Sequence, residues 1–263
     1  MDIVELVQNA RFKTLRRLWL SLLRLYFRVE VEGLEHIPKK GRALIIANHS
    51  GFAGVDALLL TFVIKRETRR RARILAHRAF FDYSERIRAV SESIGLRRAS
   101  ITGAVELLKG GRLVIVFPEG EAGNFKPSFD RYHLQKFRTG FLRMAIESDA
   151  PIIPCVVLGA EETHLNLGNI DLSALARGLR IPLPLNLIPL PAKWKIVFFP
   201  PVPLQEFGSD LLSDPDELRR VAGKLRQKLQ KELRKRLNAR SYVYSKIASS
   251  AEKMVKKVLK RSS

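Results

Sequence analysis

Three short runs constrain the fold more than anything else in the chain. Ala43-Leu-Ile-Ile-Ala47, Leu113-Val-Ile-Val-Phe117 and Ile152-Ile-Pro-Cys-Val-Val-Leu158 are apolar at every position. A strand with one wet face alternates polar and apolar residues; a strand apolar on both faces must be covered on both, which is the situation in parallel sheets. Between these runs lie helix signals over residues 55–65, 84–92, 101–109 and 139–148, with Gly110-Gly111 as a stop signal after the third. A weaker strand is predicted over 73–76 and a late one over 194–199. This alternation predicts a single α/β domain whose central, largely parallel sheet is covered by helices on both faces.

Different signals mark the two ends. Leu15, Trp19, Leu22, Leu23 and Tyr26 recur at helical spacing among Lys13, Arg17, Arg24 and Arg28. That pattern predicts an amphipathic helix that lies in a membrane interface, packs on the body, or does both. Near the other end, Asp214-Pro215-Asp216-Glu217 offers a cap, a proline at the first helical position and a glutamate in capping-box register. Leu218, Val221, Leu225, Leu229, Leu233 and Leu237 follow as an apolar stripe, and a lysine-rich tail occupies residues 246–261. The predicted organisation is an N-terminal amphipathic, membrane-associating helix (1–28), a central domain (29–213) and a basic helical extension (214–263).

The chain carries 47 Lys plus Arg against 26 Asp plus Glu, a net charge of +21, so its partner is anionic: nucleic acid or an acidic bilayer. Residues 214–263 hold 16 basic and 5 acidic side chains, residues 1–28 hold 6 and 2, and everything between holds 25 and 19. Basic ends on a nearly ordinary body do not make a continuous nucleic-acid groove. The tail is poor in aromatics and no nucleic-acid-binding fold is recognisable, so no specific nucleic-acid partner is expected. Non-specific binding at low salt would follow from the charge alone.

No stretch reads as a spanning helix. Arginines close the apolar run 18–23, and the uncharged stretch 181–192 contains four prolines. The same arginines argue against a signal peptide. The expected location is therefore peripheral or monotopic, on the cytoplasmic face of a membrane. A single cysteine, Cys155, excludes an intramolecular disulfide and a Cys-rich zinc module. No metal site and no bound redox cofactor are readable, and oligomeric state is not legible.

Of five histidines, His49 has the most suggestive setting. It follows a predicted strand, precedes Ser50-Gly51-Phe52-Ala53-Gly54, and is followed by Asp56 where a helix begins. Ligands of α/β sheets bind beyond the carboxyl ends of strands. A carboxylate on one imidazole nitrogen fixes the tautomer and lets the other nitrogen take a proton. The same spacing also suits an Asp56 that merely caps the helix beside a loop histidine. Phe117-Pro118-Glu119-Gly120 ends the clearest strand, and as a bare turn it is unspecific.

Together these motifs have a familiar order. Asn48-His49 with a following Asp, then Val116-Phe117-Pro118-Glu119-Gly120, then Pro151-Ile-Ile-Pro154, resembles the glycerolipid and lysophospholipid acyltransferase family, including its 1-acylglycerol-3-phosphate acyltransferases. Gly95-Leu-Arg-Arg98 resembles the segment before the family's FPEG strand. Lys136-Phe-Arg-Thr-Gly140 and Gly159-Ala-Glu-Glu162 resemble the monoacylglycerol acyltransferase-like branch. The likeness covers about residues 41–203. Six residues separate His49 from Asp56 where the family usually has four, a longer Ser-Gly-containing spacer being the form of that branch. The 95–98 segment lacks the common phenylalanine-rich form, which bears on the acceptor.

The resemblance implies transfer of a fatty acyl group from acyl-CoA or acyl carrier protein to the hydroxyl of a lysophospholipid such as 1-acylglycerol 3-phosphate. His49 and Asp56 would be the catalytic pair. Pro118, Glu119, Gly120, Arg97, Arg98, Lys136 and Arg138 would bind substrate, with backbone amides near Gly120 facing the oxyanion. Other readings are a neutral or amino-lipid acceptor, a catalytically degenerate lipid-binding protein, and, further off, a nucleic-acid-binding protein.

Overall fold

The computed structural model describes residues 9–49, 54–171, 180–204, 207 and 211–240. The 246–261 tail and residues 50–53 of the spacer after His49 lie outside them. Among the described residues a seven-stranded sheet is formed by β1 (Glu30–Glu32), β2 (Ala43–Ala47), β3 (Ala72–Ala76), β4 (Leu96–Arg98), β5 (Leu113–Val116), β6 (Ile152–Leu158) and β9 (Lys195–Phe198). Its order is β1-β9-β6-β2-β5-β3-β4. Every neighbouring pair is parallel except β6 and β9. A separate antiparallel pair joins β7 (Asn166–Asp171) to β8 (Arg180–Pro184), and two helices, α3 (Ala79–Asp82) and α4 (Glu85–Ile94), follow β3 in the chain.

The three apolar runs are β2, β5 and β6, placed side by side at the centre, and all five residues of β2 are buried. Period-two alternation explains why. Leu44 and Ile46 pack with α5 (Ile101–Lys109), α7 (Gly140–Ser148) and α8 (Pro215–Asn238), through Leu108, Leu142, Leu225 and Leu229 among others. Ala43, Ile45 and Ala47 face the opposite layer, where α2 (Val55–Thr68) contributes Leu59, Leu60, Val63 and Ile64 beside Phe27 and Trp194. The sheet is thus covered on both faces, as the unbroken apolar runs require.

Asp214 caps α8 by accepting the Asp216 and Glu217 N–H groups at 2.9 and 3.1 Å, and Pro215 opens the helix. The stripe from Leu218 to Leu233 is buried against the sheet, so this helix is built into the body.

At the other end, α1 (Ala10–Tyr26) divides its apolar residues between two sides. Leu20 is buried, Leu23 packs on the core, and Phe27 just beyond the helix stacks on Trp194 with ring centroids 4.7 Å apart. Leu15, Leu18, Trp19, Leu22, Leu25 and Tyr26 are exposed, and helical spacing puts them on one face. Arg24 ties α1 to Glu67 of α2 at 3.1 Å. Among the described residues no helix is long and apolar enough to cross a membrane.

Candidate active site

Because β2, β5, β3, β4 and β6 run parallel, their carboxyl ends share one edge of the sheet. That edge collects His49, the 117–120 turn, His77, Arg98 and the 159–162 segment. His49 is aimed by its neighbour. Asn48 continues the β2–β6 ladder with its side chain, donating to the Val157 carbonyl at 3.0 Å and accepting the Val157 N–H at 2.7 Å. With the chain held there, the His49 ring stacks on Phe117, centroids 4.2 Å apart and planes within 20°.

Asp56 lies in the first turn of α2, where the helix dipole favours a carboxylate. It is not the cap, since the capping position belongs to Gly54, which offers no side chain. Fully buried Asp56 reaches His49 instead, Oδ2 lying 2.8 Å from Nδ1, while the His49 side chain keeps 18% of its surface exposed. With Nδ1 held by the carboxylate, Nε2 is the nitrogen that can meet a substrate. Asp56 thus contacts His49 and does not cap the helix.

The second wall is the turn after β5. Gly120 sits at φ 59°, ψ −145°, a conformation open essentially to glycine, and opens the short α6 (Glu121–Asn124). Its N–H is donated to the Phe117 carbonyl at 2.9 Å, so that amide serves the turn itself. The Arg138 guanidinium lies over the bare Cα of Gly120, and the Arg138 N–H is donated to the Pro118 carbonyl at 2.9 Å.

Glu119 points inward. One of its oxygens accepts the His49 N–H at 3.1 Å and the other accepts the Gln135 N–H at 2.6 Å. Burial pushes its carboxyl above the ordinary range, against the pull of Lys126 and of the two N–H donors. Gly123 makes room for it: a Cβ there would stand 2.7 Å from the Glu119 Cβ.

The acyltransferase family model matches residues 28–158 of this chain. The chain belongs to the acyltransferase family. An uncharacterized protein of Mycobacterium tuberculosis is 38% identical over 214 residues, covering 77% of this chain and 60% of that protein. The chain thus spans about 60% of the length of the mycobacterial relatives it matches. The human protein named "DGAT1/2-independent enzyme synthesizing storage lipids" is 29% identical over 160 residues, 59% of this chain and 48% of its own. Among solved structures, the 1-acyl-sn-glycerophosphate acyltransferase PlsC of Thermotoga maritima superposes with a TM-score of 0.51 at 20% identity, covering 88% of this chain and 87% of that one. PlsC therefore shares the fold.

The acyltransferase-family residues expected at the site fall into two groups. His49, Asp56, Pro118, Glu119, Gly120 and Arg138 converge around the β2 and β5 ends. Lys136 is exposed on the segment that docks there. Arg97 and Arg98 lie on β4, two strands away from β5. Arg98 is paired with Asp82 at 2.9 Å, and Arg97 donates to the carbonyls of Glu92 and Leu96.

Several neighbours escaped the sequence reading. His77 leaves β3 at the same edge and pairs with Glu121 at 3.1 Å. Lys126 lies 3.0 Å from Glu161 and 3.9 Å from Glu119. Tyr132 donates its hydroxyl to Glu162 at 2.5 Å and accepts the Gly159 N–H at 2.9 Å. Glu161 and Glu162 stand in the quoted 159–162 motif, but a motif does not say what its members hold. Cys155 is buried in β6, and burial pushes its thiol up, which leaves it no nucleophile.

Proposed function

We propose that this chain transfers a fatty acyl group from a thioester, acyl-CoA or acyl carrier protein, to a lipid hydroxyl at a membrane surface. The observation that carries the reading is the 2.8 Å contact of a part-exposed His49 with a wholly buried Asp56 at the carboxyl edge of the sheet. Nε2 of His49 takes the proton of the acceptor hydroxyl as its oxygen attacks the thioester carbonyl. Asp56 holds the ring and stabilises the imidazolium that forms. The tetrahedral intermediate collapses to the ester, the C–S bond breaks, and His49 returns the proton to the leaving thiolate. No acyl-enzyme is required, which suits a site whose cysteine is inert.

The acceptor in this reading is a lysophospholipid such as 1-acylglycerol 3-phosphate. Arg138 over Gly120 supports it, because a guanidinium at the turn after β5 is matched to a phosphate. A neutral acceptor is favoured by a different observation: Arg98 is ion-paired with Asp82 and Arg97 is turned to main-chain carbonyls, so both guanidiniums of β4 are already engaged within the protein. The human relative's name, which speaks of storage lipids, points the same way.

A bilayer partner is supported by one continuous surface. The exposed face of α1 adjoins the apolar segment that contains Leu185, Leu187, Ile188 and Leu190, also exposed. Tyr26 donates its hydroxyl to the Pro189 carbonyl at 2.7 Å, and Arg28 donates to that of Pro191 at 2.8 Å. An apolar patch of this kind on a chain of charge +21 is complementary to an anionic membrane.

The test is an acyl-transfer assay on vesicles with both donor types and a panel of lysophospholipid, monoacylglycerol and diacylglycerol acceptors, run on wild type and His49→Ala. Product from wild type alone supports the reading and names the acceptor. Equal product from both removes His49 from the mechanism. Vesicle binding without any product supports a lipid-binding protein instead.

A further inference from the structure

Lys126 follows α6 and keeps only 5% of its side chain exposed. An ammonium buried that far is costly unless it is paired. Its Nζ lies 3.0 Å from Glu161 Oε1 and 3.9 Å from Glu119 Oε2, and donates to the His133 carbonyl at 3.3 Å. Two buried carboxylates therefore share one cation.

What that cation does follows from the donors around Glu119. Both of its oxygens face an N–H, one from His49 and one from Gln135. A proton on either oxygen would weaken that oxygen as an acceptor, so Glu119 holds both amides best as a carboxylate. Its burial disfavours that charge. Lys126 is the cation placed to sustain it. Glu161, held in turn by the Tyr132 N–H at 2.6 Å, keeps Lys126 from being pulled wholly to Glu119.

We propose that Lys126 is a positioning residue for His49: it keeps Glu119 an acceptor at both oxygens, and Glu119 fixes the His49 backbone against β5. Lys126 touches no reacting atom. It acts through Glu119 and the main chain, while Asp56 orients the ring, so the base is fixed at two separate points. The catalytic part of this inference rests on the reading of His49 as the general base; the backbone part does not.

The experiment uses the full chain as wild type, Lys126→Met, Lys126→Arg and Glu161→Gln. Hydrogen exchange of individual amides and acyl-transfer kinetics are both read. Lys126→Met is expected to speed exchange at the His49 and Gln135 amides by about 10-fold beyond that of Ile45 in the middle of β2. It is also expected to lower kcat about 10-fold or more with KM within about 2-fold, because a displaced base costs rate rather than binding. Lys126→Arg, which keeps the charge, should restore both to within a few-fold of wild type.

Uniformly faster exchange along β2, or an unaltered His49 amide, would overturn the proposal. Should Lys126→Met fail to fold, Glu161→Gln decides. Freed of its competitor, Lys126 then serves Glu119 alone, and His49 exchange at pH 8 should slow a few-fold; an unchanged or faster rate overturns the proposal. A wild type inactive on every donor–acceptor pair, or as active as His49→Ala, counts against the acyltransfer reading instead, and the amide measurement still decides whether Lys126 holds the His49 backbone.

Discussion

His49 and Asp56 meet across a spacer of six residues, and each contributes only because the other is held. His49→Ala should therefore lower kcat by about 100- to 10,000-fold, the usual range for a general base. Asp56→Asn should cost about as much, since the amide can present its N–H to Nδ1 and fix the wrong tautomer. Both follow from product formation on vesicles, with circular dichroism to verify the fold. Glu161 gives a prediction of another kind. Burial raises its carboxyl to about 7, against the pull of Lys126. The folded protein thus binds that proton more tightly than the unfolded chain does. Its contribution is most favourable at or below the ordinary carboxylate range and is lost as pH rises towards 7. Relative to Glu161→Gln, wild type should lose on the order of 2 kcal/mol between pH 4.5 and pH 8, read from urea midpoints. The His49–Asp56 pair was legible in sequence because a strand end, a glycine-bearing bend and a helix start bracket it. Lys126 was not: one lysine between Phe125 and Pro127 looks like any loop lysine until the fold brings Glu161 beside it.

Elements whose residues carry a period were readable; those defined by a neighbour were not. The runs at β2, β5 and β6 and the α8 stripe specify themselves by apolar content and spacing. β1 and β4 are three residues each, too short for any pattern, and exist because β9 and β3 offer them edges. The prolines of the 181–192 stretch argue against a helix, and the chain there forms β8, because at the edge of a two-stranded pair a missing N–H is tolerated. Helix α1 lends itself to a paired test because its two sides have different surroundings. Replacing Trp19 and Leu22 by glutamate should weaken binding to anionic vesicles about 10-fold or more and leave the urea midpoint unchanged. Leu20→Ala, on the buried side, should instead lower stability by about 2 kcal/mol with vesicle binding intact. Co-sedimentation and denaturation separate the two. In α8, Leu229→Ala should cost about 2–5 kcal/mol, since that side chain is buried against the sheet.

At the scale of the molecule, charge and apolar surface act together. The ends of the chain carry most of the surplus of positive charge, and the apolar patch of α1 and the 185–190 segment belongs to one side of the body. Deleting residues 242–263 should weaken binding to anionic vesicles, steeply so at low salt, and alter binding to zwitterionic ones much less; flotation at two ionic strengths measures it. Fold class was legible from sequence, while the reversed direction of β9 was not, because a strand's sense is set by the path that leads into it. That reversal has a consequence in time. Among the described residues β1 pairs only with β9, and Phe27 finds its stacking partner in Trp194. As the chain is synthesised, α1 therefore emerges together with α2 but long before Trp194 and β9. During that interval the Phe27 ring lacks its stacking partner, and the contact with α2, through Arg24 and Glu67, is what holds α1 to the body.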